Sequence, residues 1–204
     1  MALSGCRSFH EPNELRMFRP ESQVEGPLPR LAPKNGHFLH LDRVTSAAHL
    51  KERIAWRRSR VEYGYFEDRR WSELPERFVT REIEVELFER RGYQERRSVE
   101  DPTLSIDVTA FEEVIEPVPM ALVELHVRLT RARGGTLFDG MCQGAVDVAD
   151  DSGDALAKAM GKALRSATEQ AIAPLLDAIE GQTSHQDVDV PEAARSAAVV
   201  PPVR

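Results

Sequence analysis

The clearest hydrophobic pattern in the chain is the alternation of apolar and polar residues between positions 104 and 129. A period of two places one side of an extended strand against a core and leaves the other side in water. Gly134-Gly135 favours a tight turn, after which a third strand is predicted over 136–148. The pattern therefore predicts three consecutive antiparallel strands with one solvated face. The alternating apolar residues are Leu104, Ile106, Val108, Ala110, Val123, Leu125, Val127 and Leu129.

Two other stretches have helical periodicity. A helix from about Pro75 to Arg91 is predicted because Val79, Ile83 and Leu87 recur every four residues. Pro75 suits the first turn of a helix, where the missing N–H costs little, and Ser72 in the preceding segment offers a hydroxyl for capping.

A longer helix is predicted over 152–179, with Asp151 or Ser152 as its cap. Pro174 is expected to bend this helix or to end its regular part, because proline removes a hydrogen-bond donor and crowds the preceding turn. The apolar positions of this helix are Leu156, Met160, Leu164, Ala167, Ala171, Leu175 and Ile179.

Between positions 53 and 75 the pattern predicts two β segments that lead into the first helix. Ile54 and Trp56 share one parity, whereas Val61, Tyr63 and Tyr65 have the other. The apolar face therefore changes phase across 57–60, which requires a turn, a bend or a bulge. Combined with the other elements, this predicts an α+β fold: an antiparallel-dominated β-sheet with two main helices packed on one face.

Composition narrows the function classes. The chain has 204 residues, of which 41% are apolar, so one domain of ordinary size can hold a core. A net charge of −7 disfavours general nucleic-acid binding, which depends on neutralising phosphates. No apolar run has the length that a bilayer span requires. With only Cys6 and Cys142 present, no disulfide framework is indicated, and Cys142 is predicted to be a small buried hydrophobe.

The first six residues end in Leu-Ser-Gly-Cys, which matches the lipobox of bacterial lipoproteins and makes Cys6 the candidate acylated residue. The charged and apolar regions that precede such a cysteine in a signal peptide are absent. A start codon further upstream, or a trimmed sequence, is favoured over a chance match. Attached acyl chains would hold a soluble domain at a membrane by about 0.8 kcal/mol per buried methylene.

The remaining segments define the predicted domain organisation. Residues 1–6 are a residual lipobox, and 7–36 form an extended, proline-rich tether that includes a short extended segment at 13–20. The folded domain is predicted over 37–180. Residues 181–204 are rich in Ser, Ala, Pro and charge, so they are predicted to be a disordered tail.

No constellation for catalysis or metal binding emerges from the sequence. His37, His40 and His49 lack a Cys or acidic pair that would complete a ligand set, and are interpreted as surface or rim histidines. His126 lies on the polar face of its strand and is expected to be solvated. The nucleotide-binding, nucleophile-elbow and zinc-protease motifs are also absent. We therefore predict no catalytic residues, no metal and no cofactor.

Two charged clusters remain. Glu112, Glu113 and Glu116 precede a proline-bounded turn, and a solvated turn is favoured over paired catalytic carboxylates because no apolar pocket is evident.

The basic cluster comprises Arg57, Arg58 and Arg60, with Arg69 and Arg70 further along. An exposed hairpin edge, where charge discourages aggregation, is the favoured interpretation. The alternative is a site for lipid headgroups or for an acidic partner surface.

Three short sequence motifs, in this order and at characteristic spacing, resemble those of the ABC-type transport auxiliary lipoprotein family. The best-known branch of that family includes the paraquat-inducible protein C lipoprotein. The three motifs are Leu-His-Leu-Asp-Arg-Val at 39–44, Arg-Ile-Ala-Trp-Arg at 53–57, and Asp-Arg-Arg-Trp-Ser-Glu-Leu-Pro at 68–75. The resemblance extends to about Ile179. One departure is Leu74, which separates Glu73 from Pro75 where many relatives read Trp-Ala-Glu-Pro.

The resemblance implies a non-catalytic accessory lipoprotein on the periplasmic side of a bacterial membrane, with the outer membrane favoured. Its implied partners are an MCE-domain protein with an ABC permease and ATPase, in a system that moves lipids or apolar molecules and maintains membrane integrity. Homo-oligomers are also considered. An alternative is an assembly or stabilising lipoprotein of another outer-membrane machine, since fold does not determine function. A soluble enzyme is a third, disfavoured class.

Overall fold

The computed structural model describes residues 14–21, 38–98, 100–131 and 133–186, with side chains described as far as Ile179. Within these residues the chain forms nine strands and two main helices. The strands are β1 Arg16–Phe18, β2 Phe38–Leu41, β3 Thr45–Ser46, β4 Arg53–Arg57, β5 Tyr63–Trp71, β6 Gln94–Glu95, β7 Thr103–Val114, β8 Met120–Thr130 and β9 Thr136–Asp147. The helices are α1 Pro75–Glu84, which continues as a π-helical segment Val85–Arg90, and α2 Gly153–Gln186.

Strand β7 is the centre of the sheet. One of its edges pairs with β8 in antiparallel fashion, and β8 pairs in the same way with β9. The other edge of β7 pairs in succession with β2, β3 and β4, all parallel to it. Beyond β4 the sheet continues through antiparallel β5 to parallel β1, and β6 lies parallel beside β2.

The sheet is mixed, which corrects the expectation of an antiparallel-dominated sheet. Among the described residues, five of the eight strand pairings are parallel and three are antiparallel. The predicted antiparallel run is present as β7, β8 and β9. The parallel pairings were missed because β1, β2, β3 and β6 have only two to four residues each, too few for alternation to show.

Both helices pack on the same face of the sheet, as the hydrophobic pattern predicted. Phe111, Val123 and Gly144 lie directly opposite one another across β7, β8 and β9, so they share a face. Phe111 stacks on Phe78 of α1 with ring centroids 6.2 Å apart, and a Cβ on Gly144 would lie against the Ala163 carbonyl of α2. We call this side the helix face and the other side the open face. Cys142 is buried among the core residues, as predicted.

The helix ends follow the sequence only in part. Pro75 starts α1 as predicted, but Leu74 is the N-cap residue and no side chain caps the helix, so the proposed role for Ser72 is wrong. The Ser152 hydroxyl does cap α2, because it accepts a hydrogen bond from the Ala155 N–H at 3.1 Å. The α2 helix continues through Pro174 to Gln186 rather than ending there.

The N-terminal segment Arg16–Glu21 is docked on the domain, although it falls in the predicted tether. Strand β1 pairs with the end of β5, and Phe18 is buried. The Glu21 N–H then donates to the Ala157 carbonyl of α2 at 3.0 Å. Gly161 permits this approach, since a Cβ there would lie 2.0 Å from the Glu21 carbonyl oxygen.

Candidate docking surface

The β4–β5 hairpin carries the arginines singled out in the sequence. After Arg57 the chain bends through 58–61 and returns as β5, which is the break that the change of hydrophobic phase predicted. Two backbone N–H groups, those of Arg58 and Ser59, donate to the Glu62 carbonyl at 3.0 and 3.4 Å. The Ser59 hydroxyl accepts from the N–H groups of Val61 and Glu62. These hydrogen bonds close the turn at the tip of the hairpin.

Arg57 is tied to a buried carboxylate rather than free for a ligand. Its Nε lies 3.0 Å from Oε1 of Glu112, which is only 3% exposed, and His49 Nε2 lies 3.9 Å from the other carboxylate oxygen. Burial raises the pKa of Glu112, an effect that the nearby positive charge of Arg57 partly offsets. Arg57 therefore compensates a charge that the fold has removed from water.

Glu112 is buried on the open face because of its neighbours in the sheet. Because of a register shift between Val108 and Ala110, the even-numbered residues of β7 change from the helix face to the open face. Glu112 therefore lies on the open face, beside Ala55 of β4 and Leu122 of β8. His49 covers it from the loop before β4, since the Tyr65 hydroxyl donates to the His49 carbonyl at 2.9 Å. The His49 and Tyr63 rings lie 5.4 Å apart above this site.

Arg58 is also paired. Its guanidinium lies 2.6 Å from Glu62 within the hairpin and 3.1 Å from Glu116 in the turn between β7 and β8. It also lies over the Trp56 ring, 5.6 Å from the centroid. Because these groups are exposed, each ion pair adds little to stability. Their consequence is that the hairpin and the 115–119 turn are held together.

Arg60 differs from the other two arginines. No ion pair or hydrogen bond involves its side chain within the described parts of the chain, and it is exposed. Next to it Val61 is 91% exposed, Tyr63 is 57% exposed, and Val118 of the adjoining turn is 52% exposed. We call Arg60, Val61, Tyr63 and Val118 the hairpin surface. Exposed apolar side chains gathered at one end of a sheet are typical of an interaction site.

The acidic cluster is not the solvated turn that the sequence predicted. Glu116 is exposed, but Glu113 is only 5% exposed and lies on the helix face, opposite Ala121. Burial raises the pKa of Glu113; the charge of Arg69 lowers it and that of Asp151 adds to the increase. The prediction was therefore wrong for Glu112 and Glu113, whose burial comes from neighbouring strands.

The other two arginines of the basic cluster, Arg69 and Arg70, bind backbone carbonyls of the domain itself. Arg69 donates to the Asp151 backbone carbonyl at 2.6 Å, which links β5 to the start of α2. Arg70 donates to three carbonyls of its own strand region, those of Phe66, Glu67 and Arg69. The hydrogen bonds of both guanidinium groups go to residues outside the hairpin surface, so the basic cluster of the sequence is divided between different surroundings.

The histidines are not grouped for metal binding in the parts that the structure describes. No set of three or more His, Cys, Asp or Glu side chains converges there. His126 is not simply solvated: its Nε2 lies 2.6 Å from Asp139, which also binds Arg128 at 2.8 Å. Hydrogen bonds from Arg128 and then His126 lower the pKa of Asp139.

Several predictions concern residues outside the described ranges: the lipobox at 1–6 with Cys6 as its lipidation site, most of the tether over 7–36, His37, and the tail beyond 186. Across the described helices, none combines the length and hydropathy needed to cross a bilayer.

Comparison with known proteins adds the family. Residues 22–173 match the family model of the ABC-type transport auxiliary lipoprotein component. No curated protein matches.

Solved structures share the fold. A Xanthomonas campestris protein described as a DUF330 family member has a TM-score of 0.66 and 21% identity, covering 84% of this chain and 99% of its own. The Chlamydia trachomatis hypothetical protein CT253 has a TM-score of 0.52 and 9% identity, covering 70% of this chain and 96% of its own. Because the family match spans well over half of the residues, the chain belongs to the family of ABC-type transport auxiliary lipoprotein components.

Proposed function

We propose that this protein is a non-catalytic accessory of an MCE-type ABC transport system that moves lipids or other apolar molecules across the bacterial envelope. Its role is to connect a membrane anchor to the transporter. The ATPase and the permease are separate chains, and the MCE-domain protein is the partner that the folded domain binds. The observation that carries the proposal is the family match over residues 22–173.

Cys6 is the proposed anchor, on the periplasmic side and with the outer membrane favoured. The docking of β1 affects how far the domain can extend from that anchor. Ten peptide steps separate Cys6 from Arg16, the first residue of β1. A fully extended chain of that length spans about 35 Å, at roughly 3.5 Å per residue. The folded domain would therefore stay close to the membrane, whereas a free tether over 7–36 would reach about three times as far.

The hairpin surface is the proposed contact with the partner. Arg57 and Arg58 are engaged in ion pairs, so Arg60 is the charge of the predicted trio that is available to a partner. Val61 and Val118 supply apolar area beside it. This combination fits an acidic protein surface with an apolar centre better than a bare anionic headgroup layer.

The test is binding of the MCE-domain protein to the folded domain, measured by surface plasmon resonance. Arg60→Glu combined with Val61→Asp should weaken binding at least tenfold, because it reverses the free charge and places a carboxylate in the apolar area. Arg77→Glu, at an exposed position of α1, is the matched control and should leave the affinity within twofold. Unchanged binding of the double variant would remove the hairpin surface from the proposal.

A further inference from the structure

A groove of about 320 Å³ lies between α1, α2 and the N-terminal segment 19–21. It is separate from the hairpin surface, which lies on the β4–β5 turn. Its apolar lining comes from Phe78 and Val85 on the first helix and Leu164 on the second. A volume of this size is at the lower end of the range for small-molecule sites.

The N-terminal segment forms one wall of this groove. Gly161 lets the backbone of Glu21 cross α2 directly, and the Glu21 N–H donates to the Ala157 carbonyl at 3.0 Å, so the segment forms one wall. The change from α- to π-helix begins at Val85, within the lining.

The charged side chains that line the groove carry a net negative charge. Arg81 makes a two-pronged contact with Glu73 at 2.9 and 3.1 Å, so these two charges neutralise each other. Arg19 and Glu21 are both exposed at the rim, which leaves Glu82 as the excess charge.

Glu82 is partly buried and has no close partner among the residues that the structure describes. Within the described residues, no hydrogen bond and no ion pair shorter than 4 Å involves its carboxylate. Burial raises the pKa of Glu82, and the charges of Arg165 and Arg90 only partly offset this. A carboxylate held out of water beside an apolar surface is stabilised by a cation that brings its own apolar body.

We propose that this groove binds an amphipathic organic ammonium ion. The ammonium group would lie against Glu82, and an aliphatic chain of about eight carbons would cover Phe78, Val85 and Leu164. An anionic amphiphile of the same length is disfavoured by Glu82 and Glu21, and a neutral one adds no positive charge beside the Glu82 carboxylate. The site does not depend on the proposed role in transport.

The probe is octylammonium, titrated below its micellar concentration into the full chain at neutral pH and followed by amide chemical shifts in NMR spectra. Octylammonium should shift signals in 78–85 and 161–164, whereas octanoate should not. Glu82→Gln should weaken octylammonium binding at least tenfold. Glu84→Gln, at an exposed position of the same helix, is the matched control and should keep the affinity within twofold.

Two further variants separate loss of the site from loss of the fold. Glu82→Asp keeps the charge and should retain measurable binding of octylammonium. Val85→Trp fills the apolar floor and should abolish binding while the far-ultraviolet circular dichroism spectrum stays unchanged. Equal affinity for octanoate and octylammonium, or full affinity in the Glu82→Gln variant, would overturn the proposal.

Discussion

Replacing Gly161 by alanine tests whether the N-terminal segment is docked on α2, because the sign of the stability change depends on it. In a helix without that contact, Gly→Ala stabilises by about 1 kcal/mol through backbone entropy. Here the new Cβ would lie 2.0 Å from the Glu21 carbonyl oxygen and 2.8 Å from its nitrogen. Backbone atoms cannot accept that contact, so the segment has to move.

The cost of that movement can be estimated from two contacts. The hydrogen bond from the Glu21 N–H to the Ala157 carbonyl contributes about 1 kcal/mol net. Pro20 is buried, and exposing much of its ring costs about 1 to 2 kcal/mol. After subtracting the gain in helix propensity, Gly161→Ala should destabilise the protein by about 1 to 2 kcal/mol.

Urea unfolding supplies the measurement, and hydrogen exchange of the Glu21 amide reports the docked contact directly. Lys162→Gly and Lys162→Ala, at the exposed adjacent position, calibrate the helix propensity on the same helix. The free energy of unfolding of Lys162→Ala minus that of Lys162→Gly gives the helix-propensity term alone. The reasoning is refuted if Gly161→Ala stabilises the protein by about that amount and if the Glu21 amide exchanges freely in the native protein.

Three further predictions concern single groups. Glu113→Gln should raise the free energy of unfolding at pH 7, because it removes a charge held out of water, whereas Glu116→Gln at the exposed turn should change it little; equal effects would contradict the buried state of Glu113. Arg57→Met should destabilise by about 2 to 4 kcal/mol because it removes the closest positive charge from the buried Glu112 carboxylate, and adding Glu112→Gln should recover much of that loss in the same urea assay; additive losses would show that the two groups do not interact. Cys6→Ser in the native gene should move the protein from the membrane fraction to the soluble fraction in a sedimentation assay, and retention in the membrane fraction would exclude acylation as the anchor.

The three buried or half-buried glutamates also make the stability of the fold depend on pH. The folded-state pKa values of Glu82, Glu112 and Glu113 are raised above the ordinary value, so between about pH 4.3 and those values the folded protein binds more protons than the unfolded chain. Their contribution to stability is present below the unfolded pKa and is lost as the pH rises through the folded pKa. The midpoint temperature of thermal unfolding should therefore change less with pH in that window for the triple Gln variant than for the native protein. An equal change with pH in both proteins would contradict the raised pKa values.

Much of the architecture could be predicted because it depends on local periodicity. The stripe of Val79, Ile83 and Leu87 identified α1, and the alternation along β7 and β8 identified the long antiparallel pair. Each of these signals repeats within one segment, so a single sequence is enough to show it. The parallel pairing of β4 with β7 has no such local signal, since it joins residues more than fifty positions apart.

The burial of the glutamates shows a second limit. The alternation through Ala110 predicted that the even-numbered residues of β7 stay on the helix face. The register shift after Val108 reverses this order, so Phe111 points to the helices and Glu112 to the open face. The apolar pair Ala110-Phe111 was the available signal for this shift. The sequence also identified Arg57, Arg58 and Arg60 as one cluster, whereas their separate roles depend on Glu112, Glu62 and Glu116 as partners.

Affinity capture of the native protein from detergent-solubilised envelope membranes, with identification of the bound proteins by mass spectrometry, tests the proposed function most directly. The account predicts recovery of an MCE-domain protein together with an ABC permease and ATPase, and at least tenfold less recovery with the Arg60→Glu, Val61→Asp variant than with Arg77→Glu. Recovery of no ABC-transport component by the native protein would contradict it.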